Sequence, residues 1–137
     1  MQRMIILPFF ALIAGIALAA VGGSLVDAQQ PPIKRTDLLK VDLPDIKGSQ
    51  MNVWIADWAP GADTGRHIHP TPRFVYVLEG TITMEMEGQP AQVFKAGRSF
   101  VEMPNMVHAV KNTTAEPAKS LAFQYAAEGQ ALQVNAP

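Results

Sequence analysis

Three histidines are the residues of this 137-residue chain best suited to chemistry, because imidazole is a common ligand for divalent transition metals. His67 and His69 are two apart, so on an extended strand both rings leave the same face. His108 lies 39 residues beyond His69, after Pro104-Asn105 and within a second apolar stretch. A His-x-His pair on one strand and a third histidine from another strand can close one facial triad. The ordinary alternative makes each histidine a surface or hydrogen-bonded core residue, and His-x-His alone is a weak signal. Against that alternative, all three fall inside two turn–strand contexts and none is scattered elsewhere.

Other chemistries are poorly served. The chain has no cysteine, which excludes disulfides, thiolate metal sites and cysteine nucleophiles. Eleven Lys+Arg stand against 12 Asp+Glu for a net charge of −1, without the basic excess a nucleic-acid binder uses on phosphates. Neither a Gly-rich phosphate loop, a serine-nucleophile elbow nor a paired-carboxylate constellation is visible. Met84 and Met86 read as core fillers, Trp54 and Trp58 as packing residues on one strand face, and Glu79 as a solvated hairpin residue.

The elements that must position the histidines are short strands. With 11 prolines and 10 glycines, turns dominate, and only 17% of residues are charged. Met51–Trp58 is apolar at both parities, as in a strand covered on both faces. An edge strand is expected around Leu38–Val41, and Phe74–Leu78 is an apolar run ending in Glu79-Gly80. Thr81–Glu87 alternates strictly, with Ile82, Met84 and Met86 on one face. Gln92–Phe94, Ser99–Met103, Val107–Val110 and Ser120–Tyr125 complete the series. Short strands at such spacing predict an all-β sandwich or barrel in one domain, residues 29–137.

Residues 1–28 read as a signal peptide rather than as part of that domain. Met1–Arg3 is a basic start, Ile5–Val21 an uncharged apolar run, and Val26-Asp27-Ala28 a small-x-small site. Cleavage is expected after Ala28, with Ala19 the second candidate. A retained membrane anchor is the competing reading, weakened by Pro8 and Gly15. In a bacterium the mature chain would be periplasmic or secreted, with no stable membrane insertion after cleavage.

The stretch from Gly61 to Gly80 resembles the first motif of the cupins: glycine, five residues, His67-x-His69, three residues, Arg73, six residues, glycine. Gly97 to Asn112, with His108 between them, resembles the second motif. The resemblance implies a double-sheet jelly-roll β-barrel with both motifs facing its interior. It also implies one divalent transition metal (Fe, Mn, Zn or Ni) on His67, His69 and His108, and a small-molecule ligand or substrate. A homodimer is implied too, paired through the Ile33–Val41 segment, since exposed edges are liabilities that pairing covers.

Three positions depart from the family pattern. Met103 stands at a proline position and Asn105 at a glycine position, both mild, because Asn tolerates the left-handed conformation. Arg73 occupies the place of the usual glutamate ligand and cannot ligate. A like charge about 4 Å away costs roughly 4 kcal/mol at an effective dielectric of 20. Either Arg73 turns outward, leaving an open three-histidine site of the kind thiol dioxygenases use, or it points inward and clamps an anion. Glu102, six residues before His108, is the nearest replacement carboxylate; its alternative is a solvent-facing or hydrogen-bonded glutamate beside Pro104. The functions that follow are a metal-dependent, dioxygenase-like enzyme (iron or manganese) on a small organic molecule, a non-catalytic small-anion or metal-binding module, and a degenerate structural barrel.

Overall fold

The computed structural model describes residues 32–137. The expected signal segment and its cleavage sites at Ala28 and Ala19 lie outside the described residues. Ten strands run in order: β1 (Ile33–Asp42), β2 (Ser49–Trp58), β3 (His67–Ile68), β4 (Arg73–Glu79), β5 (Thr81–Met86), β6 (Gln92–Lys95), β7 (Ser99–Glu102), β8 (His108–Lys111), β9 (Ala118–Ala127) and β10 (Val134–Asn135). They form two five-stranded antiparallel sheets, β1-β2-β9-β4-β7 and β10-β3-β8-β5-β6. The strand pattern predicts an all-β sandwich or barrel, and this is the double-sheet jelly-roll barrel that the motif resemblance implies.

Alternation builds the core between the sheets. Trp54, Ala56 and Trp58 of β2 and Val75 and Val77 of β4 point inward from the first sheet. Ile82 and Met84 of β5 and Val110 of β8 meet them from the second. Phe94 of β6 stacks on Phe100 of β7 at 4.4 Å between centroids, joining the two sheets. Trp58 donates its indole Nε1–H to Ser120 Oγ at 2.9 Å, so a buried polar atom is satisfied.

Several elements differ from their sequence expectation. β1 is a ten-residue edge strand with a bulge at Leu38 rather than a short one. β2 is only half-covered on its outer side, and β4 exposes Phe74 (49%), Tyr76 (42%) and Leu78 (37%) there. Thr83, placed on the outer face by alternation, is buried and hydrogen-bonds Thr113 at 3.1 Å. β10 carries no periodic signal, being two residues long, yet it pairs with β3 and brings Leu132 onto the core.

Gly80, with φ of 72°, makes the turn that carries the chain from β4 in the first sheet to β5 in the second, where the sequence suggests a hairpin. A Cβ there would stand 2.6 Å from the Pro117 carbonyl oxygen and 2.9 Å from Ala118, so both conformation and space demand glycine. Buried Asn112 ties the end of β8 to the end of β2, donating to the Trp58, Ala59 and Glu116 carbonyls at 3.3, 3.2 and 2.8 Å.

Candidate metal centre

Strand pairing brings the histidines together. β3 lies antiparallel to β8 with His67 directly opposite His108, and His69 follows two residues on. All three are buried, with ring centroids 4.4 to 4.9 Å apart. Each Nδ1 contacts a backbone carbonyl: Gly65 for His67 at 2.9 Å, Leu132 for His69 at 2.9 Å, Met106 for His108 at 2.8 Å. A carbonyl only accepts, so each Nδ1 carries the proton and each Nε2 is left to face the shared centre. Asn105, with φ of 58°, makes the turn before His108 and donates its N–H to the His69 carbonyl at 2.9 Å. The tolerance expected of asparagine at this glycine position is realised.

The first sheet supplies the carboxylate. Register aligns Glu102 of β7, Arg73 of β4, Gln124 of β9 and Asn52 of β2 in one buried polar row. Glu102 Oε2 lies 2.6 Å from His69 Nε2 and 3.4 Å from His108 Nε2, and the two Nε2 atoms are 3.2 Å apart. Ligand atoms of His67, His69, Glu102 and His108 all fall within 4.8 Å of one another. His67 Nε2 is buried with no hydrogen-bond partner among the described residues.

That set of atoms fits a cation. A buried polar atom without a partner, as His67 Nε2 is, is costly, and an ion that displaced the protons shared with Glu102 would find four donor atoms around one point. Burial holds His67 well below its ordinary pKa, at about 4, with the neighbouring imidazoles adding to the fall and the Gly65 carbonyl opposing it. Burial alone would lower His108, but its bond to Glu102, the Met106 carbonyl and the Glu102 charge together outweigh that and raise it. Burial would likewise raise Glu102; hydrogen bonds from His108 and His69 and the Arg73 charge instead hold it well below the usual carboxylate range. Three neutral-capable imidazoles and one carboxylate are the borderline-hard donor set that suits Fe, Mn, Zn or Ni.

Arg73 points inward. Its Nη1 stands 3.4 Å from Glu102 Oε2, its Nε donates to Gln124 Oε1 at 3.0 Å, and its Cζ lies 5.0 Å from the Trp54 ring centroid. The outward orientation is therefore not the one found. Of the alternatives for Glu102, the solvent-facing one is corrected, since the residue is 3% exposed, whereas it is hydrogen-bonded, with His69 Nε2 at 2.6 Å. Two contributors had no signal in the sequence: the Leu132 carbonyl, which also accepts from Gln124 Nε2 at 2.9 Å, and Gln124 itself, which braces Arg73.

The family profile of the cupin domain matches residues 54–123, just over half of the chain. The chain is a cupin. Solved structures agree on the fold. A cupin-like protein from Thermotoga maritima superposes with a TM-score of 0.56 at 21% identity, over 69% of this chain and 74% of that one. A DMSP lyase from Ruegeria pomeroyi gives 0.61 at 19% identity, over 75% of this cupin and 51% of the lyase. An oxalate oxidase gives 0.53 at 22% identity, over 62% and 45%. This cupin spans about half the length of those two enzymes, and the likeness is one of fold. No curated protein matches it. Where the family carries its first-motif glutamate, this cupin carries Arg73 and sets a carboxylate at the facing position of the neighbouring strand.

Proposed function

We propose that this cupin is a metal-dependent enzyme of the oxygenase type acting on a small organic acid. In this reading His67, His69, Glu102 and His108 hold one divalent ion, iron or manganese. The observation that carries it is the partnerless, buried His67 Nε2 beside three further ligand atoms. A structural barrel without a ligand would not retain that cost, which sets the degenerate-barrel reading aside. Iron or manganese would supply Lewis-acid and redox chemistry, and four protein donors would leave positions of a six-coordinate ion for small molecules. Arg73 would orient the acid's carboxylate with its fork of donors, while Trp54 and Trp58 keep water from the inner wall.

The second reading is a non-catalytic module for a small anion or metal, and the inward Arg73 favours it. Oxygen-electrode traces separate the two. Chain loaded with iron(II) or manganese(II) and offered a panel of small carboxylic acids is expected to consume oxygen with at least one of them. Acid binding without oxygen uptake across the panel contradicts the enzyme and leaves the binding module.

Export and self-association belong to the same proposal. Residues 1–28 carry the basic, apolar and small-residue pattern of a cleaved signal. The outer face of the first sheet exposes Leu39 and Val41 beside Phe74, Tyr76, Phe123 and Tyr125, a contiguous apolar area of the kind that marks interfaces. A second copy covering this face and the β1 edge makes a homodimer. Protein recovered from the periplasm or medium of a bacterial host is expected to have the mass of a chain starting at Gln29 and to sediment as a dimer at micromolar concentration. Full-length chain in the membrane contradicts export, and a monomer contradicts the pairing.

A further inference from the structure

A cavity of about 290 Å³ opens between the sheets beside the metal centre, lined by Ile33, Arg35, Trp54, Trp58, Arg73 and Gln133 among others. It has two arginines. Arg73 enters from β4, while Arg35 sits on β1 opposite the inward Ala56 and so shares the inner face. Both guanidinium groups rest against the same indole: Arg35 Cζ is 4.1 Å from the Trp54 ring centroid and Arg73 Cζ 5.0 Å. Stacking of this kind orients a guanidinium while leaving its donor edge available.

The local charges do not cancel the second arginine. Glu102 pairs with Arg73 but also serves the histidines. Arg35 meets Asp37 at 2.6 Å through Nε, yet that pair is at the surface with Asp37 69% exposed, where such bridges bind weakly. Asp63, the carboxylate that also lines the cavity, is engaged by the Gly65 N–H at 2.7 Å and by Lys111 Nζ at 3.5 Å. A divalent ion, Arg73 and Glu102 together leave a charge of about +2 at the inner end, with Arg35 at the outer end. One monoanion does not neutralise it.

We propose that this cavity binds a small dicarboxylate, one carboxylate on Arg73 beside the metal centre, the other on Arg35, and the carbon skeleton against Trp54 and Trp58. This deepens the small-acid reading of the site and rests on it. Arg35 is then the residue that sets specificity for the second acidic group, from a strand neither cupin motif includes.

Calorimetric titration of the chain, metal-free and metal-loaded, with malonate, succinate and glutarate tests it against propionate, butyrate and valerate. At least one dicarboxylate is expected to bind tenfold or more tighter than the monocarboxylate of equal length. Arg35→Gln should erase that preference while metal content stays unchanged, and Arg35→Lys should restore part of it. Equal binding of the two series, no binding of either, or a preference that survives Arg35→Gln overturns the proposal. Metal content measured on the same samples keeps the two readings apart. A chain that takes no metal but prefers dicarboxylates sinks the metal reading alone; one that takes metal without the preference sinks this proposal alone.

Discussion

His108→Ala is expected to lower divalent-metal affinity by well over 100-fold, and His67→Ala and His69→Ala by similar factors. Loss of an outer hydrogen-bond partner already costs about 10- to 100-fold in metal sites, so loss of a ligand must cost more. The three rings converge within 4.9 Å, so each deletion damages one shared centre rather than one of several. Binding must also weaken in acid. In the metal-free chain the bond to Glu102 raises His108, and the ion has to displace that proton. Below the pKa of His108, affinity should fall about tenfold per pH unit for each proton displaced. His67, held at about 4, contributes no such competition near neutrality. Equilibrium dialysis against zinc or manganese across pH 5 to 8 reads both effects. A His108→Ala chain that binds as wild type, or a pH-independent affinity, contradicts one shared site.

Glu102→Ala is expected to cost the metal-free chain about 3 to 5 kcal/mol, because it leaves the Arg73 charge buried without its partner. In a domain of this size that is a fall in Tm of more than about 10 °C. Replacing both partners by apolar side chains, as in Arg73→Met with Glu102→Met, should recover much of the loss, since the burial of two charges is removed with the pair. The contribution has a defined pH window. Glu102 titrates lower in the folded than in the unfolded chain, where its value is about 4.3. Its stabilisation is thus complete above that value and is lost as pH falls through the folded one. His67 acts in the same sense: below 6.5 the unfolded chain takes up a proton that folded His67 refuses down to about 4. Thermal melts of metal-free protein check this, and a Glu102→Ala melt within 2 or 3 °C of wild type contradicts it.

The three histidines were legible because strand parity and a two-residue spacing speak directly about faces, and the turn-rich flanks announced where the strands begin. Arg73 was not legible in direction. It precedes Phe74–Leu78, a run apolar at both parities, so the sequence offers no way to tell which side is inner; the register with Glu102 and Gln124 decides it. Glu102 was obscured by the turn between it and His108, which carries the chain from the first sheet into the second. β9 inverts the usual pattern. Ala118, Ser120, Ala122 and Ala126 fill the inner face while Phe123 and Tyr125 face outward, so large apolar residues there report an exposed face rather than the core. Leu132 orients His69 through a backbone carbonyl, which any residue type could supply. No side-chain reading could have found it.

The most direct test of a metal centre in this cupin is elemental analysis of untagged chain equilibrated with iron(II), manganese, zinc or nickel at neutral pH and then freed of loose ions. One ion per chain, lost in His67→Ala, His69→Ala and His108→Ala alike, is the predicted result. Chain that retains none of the four metals, or that keeps its full complement after His108→Ala, would contradict it.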